Sequence, residues 1–332
     1  MSEPTPYLDP LSEALFEAVG VIPADIPIEE FREENEQLQA HKELGGVTRE
    51  SFVVPFEAGV TTWIYKPITH GREPLPVIFF VHGGGWIAGT DLALRTGFAV
   101  VFPEYTLAPE AVYPTQQEEC YAVLKWISKN GKRKGLKQDT FALVGDSAGG
   151  QLGSAVNILS FTRRPKIHIK QNVFISPVAD AEATGKETAS EFRFFDGPLF
   201  TVPLIRRAVK IYIPNERDRT SEEANPRFIS DKTAKQFPKT LIITSSADML
   251  ESEGKLFGEK LQQAGVDCTV IRAEGQLHDT VVLEGTRNGP TPQVLMALIA
   301  DQISSALSVK DDKVHKIEDG EGQNGRKRRR RN

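Results

Sequence analysis

The sequence predicts an α/β protein, a mostly parallel sheet with helices packed on both faces. Two observations carry this. Runs rich in Val, Ile, Phe and Thr alternate with helical patterns such as TQQEECYAVLKWISKN and ESEGKLFGEKLQQAG, and strands separated by helices mark parallel pairing through crossover connections. At 332 residues the chain is also long enough to bury a sizeable core in one large domain.

The elements follow in order. SFVVPF (51 to 56) and TTWIYKP (61 to 67), joined by a short EAG turn, read as a hairpin. Six further strands are expected at 76 to 82, 98 to 105, 140 to 145, 171 to 177, 239 to 246 and 267 to 273. Two regions stand outside the alternation. The first 45 residues carry an amphipathic pattern of Leu8, Leu11, Leu15, Phe16 and Val19, and residues 180 to 225 contain EFRFFDGPLFTVPLIRRAVKIYIP. Both are expected to form a helical cap over the carboxyl edge of the sheet. Residues 1 to 309 are thus read as one domain, and the polar, charged segment 310 to 332 as a disordered tail with nothing to bury.

Composition excludes several classes. The formal charge of −5 includes six positive charges in RKRRRR at 326 to 331, so the body is more acidic than the total implies and repels phosphate backbones. Nucleic acid is therefore not the expected partner, and a terminal basic run is usually just solvated. Cys120 and Cys268 are far apart in sequence and suggest neither a disulfide framework nor a zinc site. The N-terminus has acids and prolines where a secretory signal would be basic and apolar, and no run of about 18 apolar residues occurs. A soluble, cytoplasmic protein is expected, with nuclear targeting by the basic tail left open.

The chemistry is carried by GDSAGG, Gly145 to Gly150, placed between FALV and the helical run QLGSAVNIL. A nucleophilic serine on a sharp strand-to-helix turn needs small residues two positions before and after it, here Gly145 and Gly149. The N–H of the following residue, Ala148, then points at a developing oxyanion, helped by the positive end of the helix. HGGGW, His82 to Trp86, ends the most apolar strand. Its consecutive glycines leave backbone N–H groups unobstructed, so Gly83 and Gly84 are expected to complete an oxyanion hole with Ala148. A phosphate-binding loop is the competing interpretation, but neither GK[ST] nor GxGxxG is present.

Serine needs a base. His41 and His70 precede the third strand, His168 lies in a basic patch, His315 is in the tail and His82 belongs to the glycine motif. His278 remains, a short loop beyond the last strand. Asp248, directly after LIITSSA, is the preferred orienting carboxylate. Glu251, Glu253, Asp267, Glu274 and Asp279 are read as helix N-terminal acids or solvated loop charges. The open-sheet rule brings Ser147, Asp248 and His278 to one crevice at the carboxyl ends of the strands.

HGGGW, EYTLAPE (104 to 110), GDSAGG, ISPVAD (175 to 180), ADML (247 to 250) and GQLH occur in this order across residues 7 to 305. With them the chain resembles the hormone-sensitive-lipase-like branch of the α/β-hydrolases, the α/β-hydrolase-3 type of microbial and fungal esterases. The resemblance implies an α/β-hydrolase fold with an eight-stranded sheet and a helical cap, hydrolysis of small-molecule carboxylic esters, and no metal or other cofactor. Glu104, Tyr105 and Glu110 are assigned to a motif that supports the site structurally. One departure stands out: between HGGGW and the fourth strand, DLALRTG reads as the end of a helix whose beginning is missing, a shortened crossover.

The sequence thus points to a serine hydrolase acting through Ser147, His278 and Asp248 on esters of small to medium acyl chain. Trp86, Phe192, Phe195, Phe200 and Tyr212 are candidates for the substrate pocket, with the core of a cap helix as the equal alternative for most of them. Two other readings stay open, a non-catalytic small-molecule receptor on the same scaffold and a hydrolase impaired by the shortened segment. A homodimer is neither required nor excluded.

Overall fold

Eight strands pair in the order β1-β2-β4-β3-β5-β6-β7-β8 in a computed structural model, which describes residues 6–39, 45–83, 87–181 and 188–308. They are β1 (Val47–Val54), β2 (Val60–Pro67), β3 (Leu75–Val81), β4 (Ala99–Pro103), β5 (Leu136–Asp146), β6 (Ile169–Ile175), β7 (Lys239–Ala247) and β8 (Cys268–Leu277). All eight sequence-predicted strands form. β1 and β2 make the expected hairpin, β2 joins β4 antiparallel, and every pairing from β4 to β8 is parallel.

Among the described residues ten α-helices flank or cap this sheet: α1 (Pro10–Val19), α2 (Ile28–Leu38), α3 (Ile87–Thr96), α4 (Thr115–Asn130), α5 (Ala148–Thr162), α6 (Ala189–Arg193), α7 (Val202–Tyr212), α8 (Asp231–Ala234), α9 (Glu251–Gln263) and α10 (Pro290–Ser308). The period of two along β3 shows how both faces are covered. Val77, Phe79 and Val81 point into a cluster with Cys120, Leu124 and Ile127 of α4, Leu152 and Val156 of α5, and Phe257 and Leu261 of α9. Ile78 and Phe80 point the other way, against Leu92 of α3 and Met296, Ile299 and Ile303 of α10. A strand buried on both faces reads as one apolar run, which is why LPVIFFV shows no alternation.

The crossover after β3 corrects the expectation of a truncated helix. The connection holds a ten-residue helix, α3, which packs on β2, β4 and α10. Ten helical residues rise about 15 Å, close to the ~17 Å length of a five-residue strand such as β4. A helix of this size therefore returns the chain to the foot of the next parallel strand, and the short connection suffices.

Above the carboxyl ends, Ile22, Ile26 and Leu38 from the N-terminal segment meet Phe194, Leu199, Phe200 and Leu204. The same cluster takes in Met249 and Leu250, just beyond β7, and Leu283, beyond β8. The Ile22 N–H donates to the Leu199 carbonyl at 2.8 Å, and the Arg207 guanidinium donates to the Ala24 carbonyl at 3.1 Å. α1 is less covered than its apolar pattern suggests, for Leu11 and Val19 are exposed. The segment 310 to 332 lies outside the described residues. Among the described residues no helix is long and apolar enough to cross a membrane, and no group of three or more His, Cys, Asp or Glu side chains is placed to hold a metal ion.

Candidate active site

Ser147 occupies the corner between β5 and α5 with φ 50° and ψ −120°. Such a conformation costs a non-glycine residue on the order of 1–3 kcal/mol and persists only where the surroundings enforce it. They do so here. The Ser147 N–H donates to the Ile175 carbonyl at 2.9 Å, and the Ser147 carbonyl accepts from Val178 N–H at 3.0 Å. Gly145 and Gly149 are needed for space: a Cβ on Gly145 would overlap the Gly149 carbonyl, and one on Gly149 would overlap the Val81 carbonyl. The turn is tight because two backbones touch where side chains would stand.

Asp248 and His278 reach the same rim from the ends of β7 and β8. Both are almost fully buried. His278 Nδ1 lies 2.8 Å from Asp248 Oδ2, and His278 Nε2 lies 2.9 Å from Ser147 Oγ. The other Asp248 oxygen accepts from the Leu250 N–H at 3.0 Å, which fixes the carboxylate. The edge of the Phe200 ring packs on the imidazole with centroids 5.3 Å apart. A Nδ1–H held by the carboxylate leaves the Nε2 lone pair facing the hydroxyl, the arrangement a general base requires.

A second carboxyl stands on the same nitrogen, Asp279 Oδ2 at 3.2 Å from His278 Nε2. Burial opposes a charge on His278, but Asp248 and Asp279 together outweigh it and hold the imidazole well above its ordinary value. Burial pushes the Asp279 carboxyl up, with the imidazole drawing it back in part.

The family model for the alpha/beta hydrolase fold matches residues 78–282. The chain is an α/β-hydrolase. Its relatives include an esterase of Gibberella moniliformis, 36% identical over 308 residues that span 88% of this chain and 96% of that one. Among solved structures it is similar to carboxyl esterase 2 of Tuber melanosporum, with a TM-score of 0.82, 31% identity, and 90% and 99% of the two chains covered. A thermostable esterase from Pseudomonas putida superposes with a TM-score of 0.86 at 25% identity over 93% and 100% of the chains.

The glycine motif of this α/β-hydrolase departs from expectation at one position. The Gly83 N–H donates to Asp146 Oδ1 at 3.0 Å, so it is committed to the base of the serine turn and is not a free donor for an oxyanion. A Cβ on Gly83 would press on Asp146 and Ser147. That glycine serves close approach. Gly84 and Trp86 lie outside the described residues. Ala148 opens α5, where geometry gives its N–H no partner within the helix.

His82 is structural. It stacks between Phe102 and Tyr105 with centroids 4.7 and 4.5 Å away, and burial lowers its pKa to about 4. Tyr105 donates its hydroxyl to the His82 carbonyl at 2.5 Å, giving the EYTLAPE segment a direct hold on the glycine motif. Glu119, which sequence reasoning did not single out, accepts from both the N–H and the hydroxyl of Thr106 at 2.6 and 2.9 Å. Glu110 sits at the surface in a paired contact with Arg32.

Ser147 and His278 open onto a cavity of about 330 Å³, walled mainly by apolar side chains that include Phe31, Phe200, Ile205, Val209 and Leu283. Of the expected pocket residues, Phe200 and Tyr212 border it. Phe195 belongs to the cap cluster, and Phe192 is a correction: it is 71% exposed, because α6 is barely more than one turn and carries it on its outer side. Glu253 and Asp279 are further corrections. They were read as helix N-terminal acids or solvated loop charges; Glu253 does lie in the first turn of α9, but both side chains are buried. The sequence offered only their neighbours, Asp248 and His278, as a signal.

Proposed function

We propose that this α/β-hydrolase is a carboxylic ester hydrolase in which Ser147 attacks the ester carbonyl, His278 takes and returns the proton, and Asp248 stabilises the imidazolium. Attack gives a tetrahedral intermediate whose oxyanion is held by the Ala148 N–H together with backbone amides of the glycine motif. Collapse releases the alcohol, protonated from His278 Nε2, and leaves an acyl-serine. Water, deprotonated by the same nitrogen, then frees the acid. The observation that carries this reading is the pair of contacts on one imidazole, Ser147 at 2.9 Å and Asp248 at 2.8 Å.

An apolar cavity of about 330 Å³ supports esters of small to medium acyl chain. The same contacts favour an enzyme over a receptor on this scaffold, since a binding role gives no reason to align an imidazole between a hydroxyl and a carboxylate. Replacement of Ser147 by Ala should lower kcat on p-nitrophenyl butyrate by several orders of magnitude while the protein stays folded. Turnover at the wild-type rate in that variant overturns the assignment.

A further inference from the structure

The cavity has two ends, walled by different clusters. Phe200 and Leu283 belong to the cap cluster, and the Phe200 ring edge packs on His278. At the other end Ala181, Val209 and Tyr212 belong to a separate cluster with Ala224. Ala148, Gln151 and Leu152 also border the cavity, and positions with this spacing share one face of α5, so the space runs along that face from the nucleophile. His278 Nε2 protonates the departing alcohol, which puts the alcohol at the Phe200 end. The acyl chain then takes the α5 face.

Gln151 is the polar residue on that face. Its Nε2 donates to the Glu223 carbonyl, which fixes the amide, because a carbonyl only accepts. Oε1 is left over, and among the described residues it has no hydrogen-bond partner. It is also reachable. The unpartnered oxygens at this cavity that are closed to solvent, and so to a ligand, are Gln39 Oε1, Gln116 Oε1 and Asp279 Oδ1; Gln151 Oε1 is not one of them. Since Gln151 is 3% exposed as a whole, the surface this oxygen keeps opens on the cavity. The hydroxyl protons of Tyr105 and Tyr212, which border the same space, are spent on the His82 carbonyl and on Gln117 Oε1. An all-apolar acyl chain packed here strips water from Gln151 Oε1 and returns nothing, whereas a chain with a hydroxyl at that point pairs it.

We infer that the acyl half of the substrate is a hydroxyalkanoate whose hydroxyl donates to Gln151 Oε1. An ammonium would lose its hydration to a mainly apolar wall, and an amide N–H would bring a carbonyl that needs a donor of its own. From Ser147 to Gln151 the helix rises about 6 Å, which an extended chain covers in about five or six bonds, so the hydroxyl sits near the end of an acyl chain of about six carbons. This rests on the ester-hydrolase reading and names its acyl class. Gln151 acts in it as a specificity residue.

The test pairs ethyl 6-hydroxyhexanoate with ethyl heptanoate, in which a methyl replaces the hydroxyl. Acid release is followed at constant pH. The wild-type kcat/KM should favour the hydroxylated ester by about tenfold, against the apolar character of the wall. Gln151→Leu should reverse that order, and Gln151→Met, closer to glutamine in length, should do the same. Loosening of the cap through the lost contact with Glu223 lowers both rates together, so the ratio is the readout. Parity or a preference for heptanoate in the wild type, or a ratio unmoved in the variants, overturns the inference; if neither variant folds, the wild-type ratio decides alone. If the wild type hydrolyses neither ester, the ester-hydrolase reading falls by itself, while dissociation constants of the two esters still read the hydroxyl preference.

Discussion

Asp279 and Ser147 face the same nitrogen of His278, at 3.2 and 2.9 Å. The base is thereby placed between two carboxyls, Asp248 on Nδ1 and Asp279 on Nε2. Catalysis needs the neutral imidazole, so whatever favours its charge shifts the acid limb of the rate profile upward in pH.

Asp279→Asn should therefore move the acid limb of kcat/KM for p-nitrophenyl butyrate to lower pH. One of the two groups that raise His278 is gone, and burial then acts against Asp248 alone. Rates measured from pH 5 to 9 decide this, and a limb that stays in place or rises contradicts it. The same shift is a stability term. With the folded-state pKa above the ordinary 6.5, the stabilisation is complete below that pH and lost as pH rises through the folded value.

Gly149→Ala should abolish activity and destabilise the fold by about 1–3 kcal/mol or more, since the new methyl overlaps the Val81 carbonyl and the chain of β3 has nowhere to move. Gly71→Ala is the control. Nothing lies within 4 Å of a Cβ there and φ is ordinary, so denaturation midpoint and rate should both match wild type.

Glu253 gives a sharper case. Burial, with Asp180 and Glu191 nearby, pushes its carboxyl well above the usual value, while its oxygen accepts from the Ala179 N–H at 3.2 Å. The folded state then holds a proton that the unfolded chain releases above pH 4.5, so stability falls as pH rises from there. Glu253→Gln keeps an acceptor and removes the titration, and should become more stable than wild type by a margin that grows as pH rises above 4.5. Thermal melts across this range should show the advantage growing with pH; a loss at every pH counts against the account.

His82 works in the opposite direction. Its folded pKa of about 4 lies below 6.5, so the unfolded chain takes up a proton first and stability drains away as pH falls between the two values. The loss from this residue amounts to about 3 kcal/mol. His82→Phe preserves the stack with Phe102 and Tyr105, and its acid denaturation should be shallower than wild type over that interval. Parallel curves for the two proteins would remove His82 as the cause.

Much of this was legible in the chain. Apolar runs alternating with amphipathic patterns placed all eight strands: burial on two faces makes a parallel strand such as β3 continuously hydrophobic, whereas β1, mostly exposed, was legible through its short turn to β2. Ser147 and Asp248 were singled out because each follows directly on an expected strand end, and His278 by elimination among the histidines a short loop beyond the last; parallel strands deliver their carboxyl ends to one rim. Phe192 was misread for a reason of the same kind: an aromatic in a five-residue helix has no period long enough to show which way it faces.

By itself, then, the sequence determined the order of elements, the serine corner and the three side chains at its rim, since these depend on residue type and position along the chain. Only the tertiary structure decided that Gly83 spends its N–H on Asp146, that Asp279 turns inward onto His278, and that Glu253 and Gln116 are sealed from water. Those outcomes depend on which groups from distant segments arrive within hydrogen-bond reach. Such reach is a property of packing in three dimensions, and no local pattern encodes it.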